Sequence, residues 1–188
     1  EALGLELVSH ETFGERGDET GLHRYGIALL AYALAQRDDV DTVHRYVDLW
    51  RLDYDDTVDQ VTGETSLEMS PDSLDWRRVD VVAFRGGDPV YVGEFQISQK
   101  NKLVRRNWEK LRLLAENGPE AVWLMPDFDR LASIIRTLQD EGCVAGATLP
   151  STERVSVWQQ SFERKDLYNR GIAEFHTLRS LYREVDLA

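Results

Sequence analysis

Cysteine is nearly absent. A single Cys143 in 188 residues leaves no internal disulfide and no zinc cluster built on cysteines. Lysine is almost as scarce: only Lys100, Lys102, Lys110 and Lys165 stand among 22 basic residues, against 34 acids, for a formal charge of −12. Acid-rich, lysine-poor composition is the pattern of proteins that work in strong salt, where screening blunts self-repulsion, so the chain reads as halophilic. No apolar run of about 18 uncharged residues occurs, which excludes a membrane-spanning helix and leaves no membrane partner to expect. The start, Glu1-Ala2-Leu3-Gly4, offers neither an initiator methionine nor a basic region followed by an apolar stretch. The expectation is a cytoplasmic domain belonging to a longer polypeptide, with residues 1–19 as its N-terminal extension or linker.

Several chemistries are missing as well. There is no Gly-rich phosphate loop, G-x-S-x-G elbow or dinucleotide fingerprint, and no internal repeat. His10, His44 and His176 have none of the H-x-x-x-H or H-E-x-x-H spacings of a zinc hydrolase. Metal chemistry through oxygen ligands is not touched by these absences.

What is present suits one domain with a full-sized core, at 42% hydrophobic residues. Thr20 can cap a helix in which Leu22, Ile27, Leu30, Ala31 and Leu34 fall at helical spacing. Imperfect alternation predicts a strand over Val43 to Tyr54, and a polar excursion follows from Thr57 to Asp75. Arg77 to Phe84 and Val90 to Ser98 read as paired strands around a tight Gly86-Gly87 turn. A basic helix is expected from Lys102 to Glu116, stopped by Gly118-Pro119. Ala121 to Met125 is wholly apolar, as in a buried parallel or central strand. Phe128 to Asp140 reads as an amphipathic helix, Val155 to Trp158 as a strand, and 164–184 as a terminal helix. Trp108 and Trp123 fall on apolar faces. The order helix, strand, strand, strand, helix, strand, helix implies a mixed α/β sheet covered by helices.

Two carboxylates stand out by position. Asp80 interrupts the apolar strand Val79 to Phe84, and Glu94 interrupts its partner, Tyr91 to Ile97. A turn at Gly86-Gly87 sets the two roughly opposite each other, where like charges cost stability unless a cation lies between them. Oxygen ligands of this kind suit Mg²⁺, which takes one or two carboxylates plus waters and phosphate oxygens. Gln96 shares a strand face with Glu94.

The segments Arg78-Val79-Asp80 and Glu94-Phe95-Gln96, in this element order, resemble the PD-(D/E)XK nuclease superfamily over about residues 20–142. The resemblance implies a restriction-endonuclease-like α/β fold with an α-β-β-β-α-β core over 20–160 and an extra C-terminal helix over 161–188. It implies that Asp80 and Glu94 hold Mg²⁺, for which Mn²⁺ can substitute, with the Phe95 carbonyl as a third ligand. It further implies that the domain hydrolyses DNA phosphodiester bonds. Two positions depart from the family pattern: Val79 replaces the usual proline, and Gln96 the usual lysine. Glutamine can orient a water but brings no positive charge. The alternative expectation is therefore an inactive nuclease-fold module that binds DNA or a protein partner.

The helix after these strands carries Lys100, Lys102, Arg105, Arg106, Lys110 and Arg112 against one acid, Glu109. Such a local excess in so acidic a chain marks these six as candidate DNA-phosphate contacts. Folds of this type direct an acid or histidine from the first helix toward the metal, which selects His23 and then Glu19. The apolar stripe Leu167, Ile172, Phe175, Leu178, Leu181 and Tyr182 is expected to pack on the domain or to form a homodimer contact.

Overall fold

Thr20 starts the first helix: its backbone is extended and its hydroxyl accepts the His23 N–H at 3.2 Å, capping α1 (Gly21–Ala35). The computed structural model describes residues 20–48, 78–144, 155–163 and 171–186, with the backbone alone at 160–163 and 186. The expected extension with Glu19, positions 49–54 of the strand expected over Val43 to Tyr54, and the excursion over 57–75 lie outside the described residues. After α1 come β1 (Thr42–Asp48), β2 (Arg78–Arg85), β3 (Asp88–Phe95), α2 (Asn101–Glu116), β4 (Glu120–Met125) and α3 (Phe128–Asp140). Then follow α4 (Val155–Glu163), β5 (Glu174–Thr177) and α5 (Leu178–Asp186).

The architecture is α/β, with one five-stranded sheet in the order β1-β2-β3-β4-β5. β1, β2 and β3 pair antiparallel, whereas β3–β4 and β4–β5 are parallel, so the sheet is mixed. The β2–β3 turn needs two left-handed residues, and Gly86 (φ 60°) and Gly87 (φ 94°) take that conformation without a side-chain clash. The parallel step from β3 to β4 needs a crossover, which α2 provides. β4 is central and covered on both faces, with Ala121 to Met125 all buried, hence its unbroken apolar sequence.

Two apolar layers fill the faces of the sheet. On one side Ile27, Leu30 and Leu34 of α1 and Leu181 of α5 pack over Val81, Ala83, Phe95 and Leu124. On the other, Val104, Leu111 and Leu114 of α2 and Ile134 and Leu138 of α3 pack on Val82, Val92, Trp123 and Phe175. α1 crosses β3 closely enough that a Cβ on Gly26 would enter the Phe95 ring, and one on Gly93 would lie 2.8 Å from Leu30. That close crossing holds His23, almost one turn before Gly26, beside Phe95, with ring centroids 5.7 Å apart.

Two expectations are corrected. Val155 to Trp158 begins the helix α4 and is not a strand. Trp158 is buried against Phe128, edge to face at 4.9 Å, with Val155 packed on the same cluster, and this i, i+3 pair is a helical spacing. Residues 164–184 are not one helix either: β5 intervenes, and Phe175, His176 and Thr177 are buried beside β4. The threefold spacing of Ile172, Phe175 and Leu178 imitates a helical stripe. Thr177 and Ser180 decide the true start of α5, each hydroxyl accepting the other's N–H at 3.1 and 2.8 Å.

A polar network ties the end of α1 to β3, β5 and α5. Arg37 donates to Glu174 at 2.6 Å and stacks 4.3 Å above the Tyr91 ring. His176 lies 3.1 Å from the same carboxylate and 3.5 Å from Glu184 on α5. No helix among the described residues is long and apolar enough to cross a membrane.

Candidate functional site

The β2–β3 ladder runs from Arg85↔Asp88 to Val81↔Gly93, and one step beyond it the register sets Asp80 against Glu94. There the ladder changes character. The Gln96 N–H turns to Leu124 of β4, while the Phe95 N–H turns toward β2 and donates to the Asp80 carboxylate at 2.9 Å. A side-chain oxygen thus stands where a strand carbonyl would. On the other side of β2, Tyr46 falls between the pairs Arg45↔Val81 and Val47↔Val79 and takes φ 57°. Left-handed backbone is rare for an aromatic residue, and such outliers gather at functional sites. The Nε2 of His23 completes this group, 3.7 Å from the same Asp80 oxygen.

Glu94 is turned toward α2. It is 5% exposed and forms an ion pair with Lys110, 3% exposed, whose ammonium also donates to the Arg78 carbonyl at 2.8 Å. Lys110, expected among the surface phosphate contacts, is therefore an interior residue. Two opposite charges this deep stabilise each other only as a pair, because either alone would remain desolvated. Beside them the Gln96 amide is held at both ends: Asn107 of α2 donates to its oxygen, and its nitrogen donates to the Ser98 carbonyl at 2.6 Å.

The remaining cations of α2 divide by environment. Arg105 pairs with Glu109 at 2.9 Å, and Arg112 with Glu116 at 2.7 Å while lying 5.7 Å from the Trp108 ring. Lys100 and Lys102 are exposed at the start of the helix, which has no side-chain cap bond and no acid in its first turn. Basic residues at that positive end of the helix dipole oppose helix stability. Arg106 is half-buried, and its Nε has no hydrogen-bond partner among the described residues. Burial pushes its guanidinium below the usual arginine range, opposed by the charge of Glu94.

The structure thus joins His23, Asp80 and the Phe95 amide on one side of the strand end, and Glu94, Gln96, Asn107 and Lys110 on the other. Among the described residues no three His, Cys, Asp or Glu side chains gather as a ready-made metal cluster. The donor chemistry still suits a hard cation that keeps most of its waters, since two carboxylates on adjacent strands are what Mg²⁺ takes from a protein. The sequence reading missed Asn107 and the interior role of Lys110. The signal for Lys110 was its phase: Leu113 and Leu114, three and four residues later, are both buried, so Lys110 shares their inward side. Comparison with known proteins brings no relative to the chain, because no family model, curated protein or solved structure matches it.

Proposed function

We propose that this chain is a nuclease-like domain that hydrolyses DNA phosphodiester bonds, with Asp80 and Glu94 as the holders of Mg²⁺ or Mn²⁺ and a restriction-endonuclease-like arrangement of its α/β elements. The observation that carries the reading is the end of the regular β2–β3 ladder just before Asp80 and Glu94, with Asp80 held by the Phe95 N–H and Glu94 paired with Lys110. When bound, the ion supplies Lewis-acid stabilisation of the charge that builds on the phosphate. The chain's own side chains do the rest. Lys110 brings from α2 the positive charge that Gln96 lacks, preorganised against the Glu94 carboxylate. His23 and the Phe95 N–H hold the Asp80 carboxylate in one orientation. Lys100 and Lys102 stand exposed at the start of α2, where a phosphate backbone gains from both their charge and the helix dipole.

One specific observation favours a second reading. The Gln96 amide is engaged at both ends by Asn107 and Ser98, which leaves it poorly disposed to orient a water. On that ground the alternative is an inactive nuclease-fold module that binds DNA or a protein partner. Calorimetric titration of Mn²⁺ in molar salt into wild type and Asp80→Ala, followed by assay of duplex and single-stranded DNA for cleavage, separates the two. Binding lost in the variant together with cleavage by wild type supports hydrolysis. Metal binding without cleavage of any DNA form favours the inactive module, and no binding by wild type removes the metal site.

A further inference from the structure

Lys102, Arg106 and Lys110 recur every four residues along α2, so they stand on one side of the helix at steps of about 6 Å. Their burial is graded: Lys102 is exposed, Arg106 half-buried and Lys110 buried. The row runs from solvent to Glu94. Three other cations of the helix already have an acid, Arg105 with Glu109, Arg112 with Glu116 and Lys110 with Glu94. Arg106 makes no ion pair among the described residues, although the chain carries 34 acids, and its Nε is buried with no acceptor. A desolvated guanidinium N–H without an acceptor costs stability, and a site keeps such a group when a ligand supplies the missing oxygen. The Nε and Nη edge of arginine is a planar fork that matches two oxygens of a phosphate.

The geometry points to Arg106 as the seat of a DNA phosphodiester group next to the one proposed for cleavage, with Lys102 drawing the strand in from solvent. This inference rests on the proposed reading of the Asp80–Glu94 site for its substrate, but it concerns binding and not hydrolysis. A phosphate is favoured over a peptide carboxylate because Lys102 and Arg106 follow each other along the helix, as charges do along a phosphate backbone, while Lys110 is already taken by Glu94. Arg106 is a binding residue in this account, and Lys102 a steering one.

The test uses the full chain with EDTA present, so that binding is read without cleavage, and a labelled DNA duplex and its separated strands as probes. Arg106→Lys keeps the charge and loses the fork; it is expected to bind at least about tenfold more weakly with the salt dependence little changed. Arg106→Gln is expected to bind more weakly still, with the slope of log affinity against log salt reduced by about one. Its urea midpoint should equal or exceed that of wild type, since an unsatisfied group has been replaced. Arg85→Lys, at the hairpin tip and paired with Asp39, controls for general effects and should bind as wild type does. Equal binding by wild type and Arg106→Lys overturns the proposal, as does a lowered urea midpoint in Arg106→Gln, which would make Arg106 structural. Arg106-dependent binding of poly-glutamate, with none of either DNA form, overturns it in favour of an acidic peptide. Arg106-dependent DNA binding in a protein that cleaves nothing with Mn²⁺ leaves the phosphate seat standing and removes only the hydrolytic reading.

Discussion

Glu94 and Lys110 form a buried ion pair that joins β3 to α2, with both side chains less than a tenth exposed. Removing one partner leaves the other charged and desolvated. Lys110→Met is therefore expected to destabilise the fold by about 3–5 kcal/mol, and Glu94→Gln combined with Lys110→Met to restore most of the loss. Urea unfolding of the two single variants and the double variant measures the coupling. Additive effects would mean that the pair contributes no mutual stabilisation.

Gly26 and Gly93 make a second, graded case. A Cβ on Gly26 meets the stiff Phe95 ring, whereas one on Gly93 meets the end of the Leu30 side chain, which can rotate. Gly26→Ala should cost about 1–3 kcal/mol through overpacking, more than the roughly 1 kcal/mol that alanine gains in a helix interior. Gly93→Ala should cost less. Thermal denaturation of both variants ranks them, and the reverse order would contradict the crossing geometry described for α1.

The acid limb of stability should report Glu174. Burial acts to raise its pKa, but the hydrogen bonds from His176 and Arg37 prevail and hold it at about 2, below its ordinary value of 4.5. A carboxylate depressed in the folded state contributes stability that is fully present above about 4.5 and is lost as pH falls toward about 2. Wild type should therefore exceed Glu174→Gln in stability at neutral pH, with the gap narrowing through that window. Urea midpoints taken between pH 7 and 2 check this, and a gap of constant size would refute it.

Lys100 and Lys102 are exposed at the head of α2. On the proposed reading of the chain as a DNA-binding nuclease-like domain, charge reversal of both should weaken DNA binding and lower the salt slope by about two, one for each lost phosphate contact. Fluorescence anisotropy across a salt series measures both quantities. An unchanged slope would remove these two lysines from the proposed DNA interface.

Much of the element order was legible because its signals are local. Thr20 as a cap, the Gly86-Gly87 turn and the apolar run at β4 each carry their own physical cause within a few residues. The helix over Phe128 to Asp140 has the bounds its periodicity predicts. β5 was hidden because a strand of four residues is too short to display alternation, and its identity comes from pairing with β4, far away in sequence. At the candidate site, counting outward from the turn sets Asp80 against Gly93, and it is the register shift between Ala83 and Phe84, where Val90 is skipped, that brings Asp80 against Glu94. Nor could their actual partners be counted out. That Glu94 faces Lys110 depends on how α2 settles on the sheet, and the hold of Asn107 on Gln96 depends on the same contact.

The hydrogen bond from the Phe95 N–H to the Asp80 carboxylate makes one backbone amide a reporter for the whole site. Its neighbour, the Gln96 N–H, is anchored to a backbone carbonyl that no ligand can take away. A cation that draws the Asp80 oxygen to itself would loosen the first amide and leave the second untouched. Exchange with deuterium, read residue by residue, then separates occupancy of the site from any general change in the sheet.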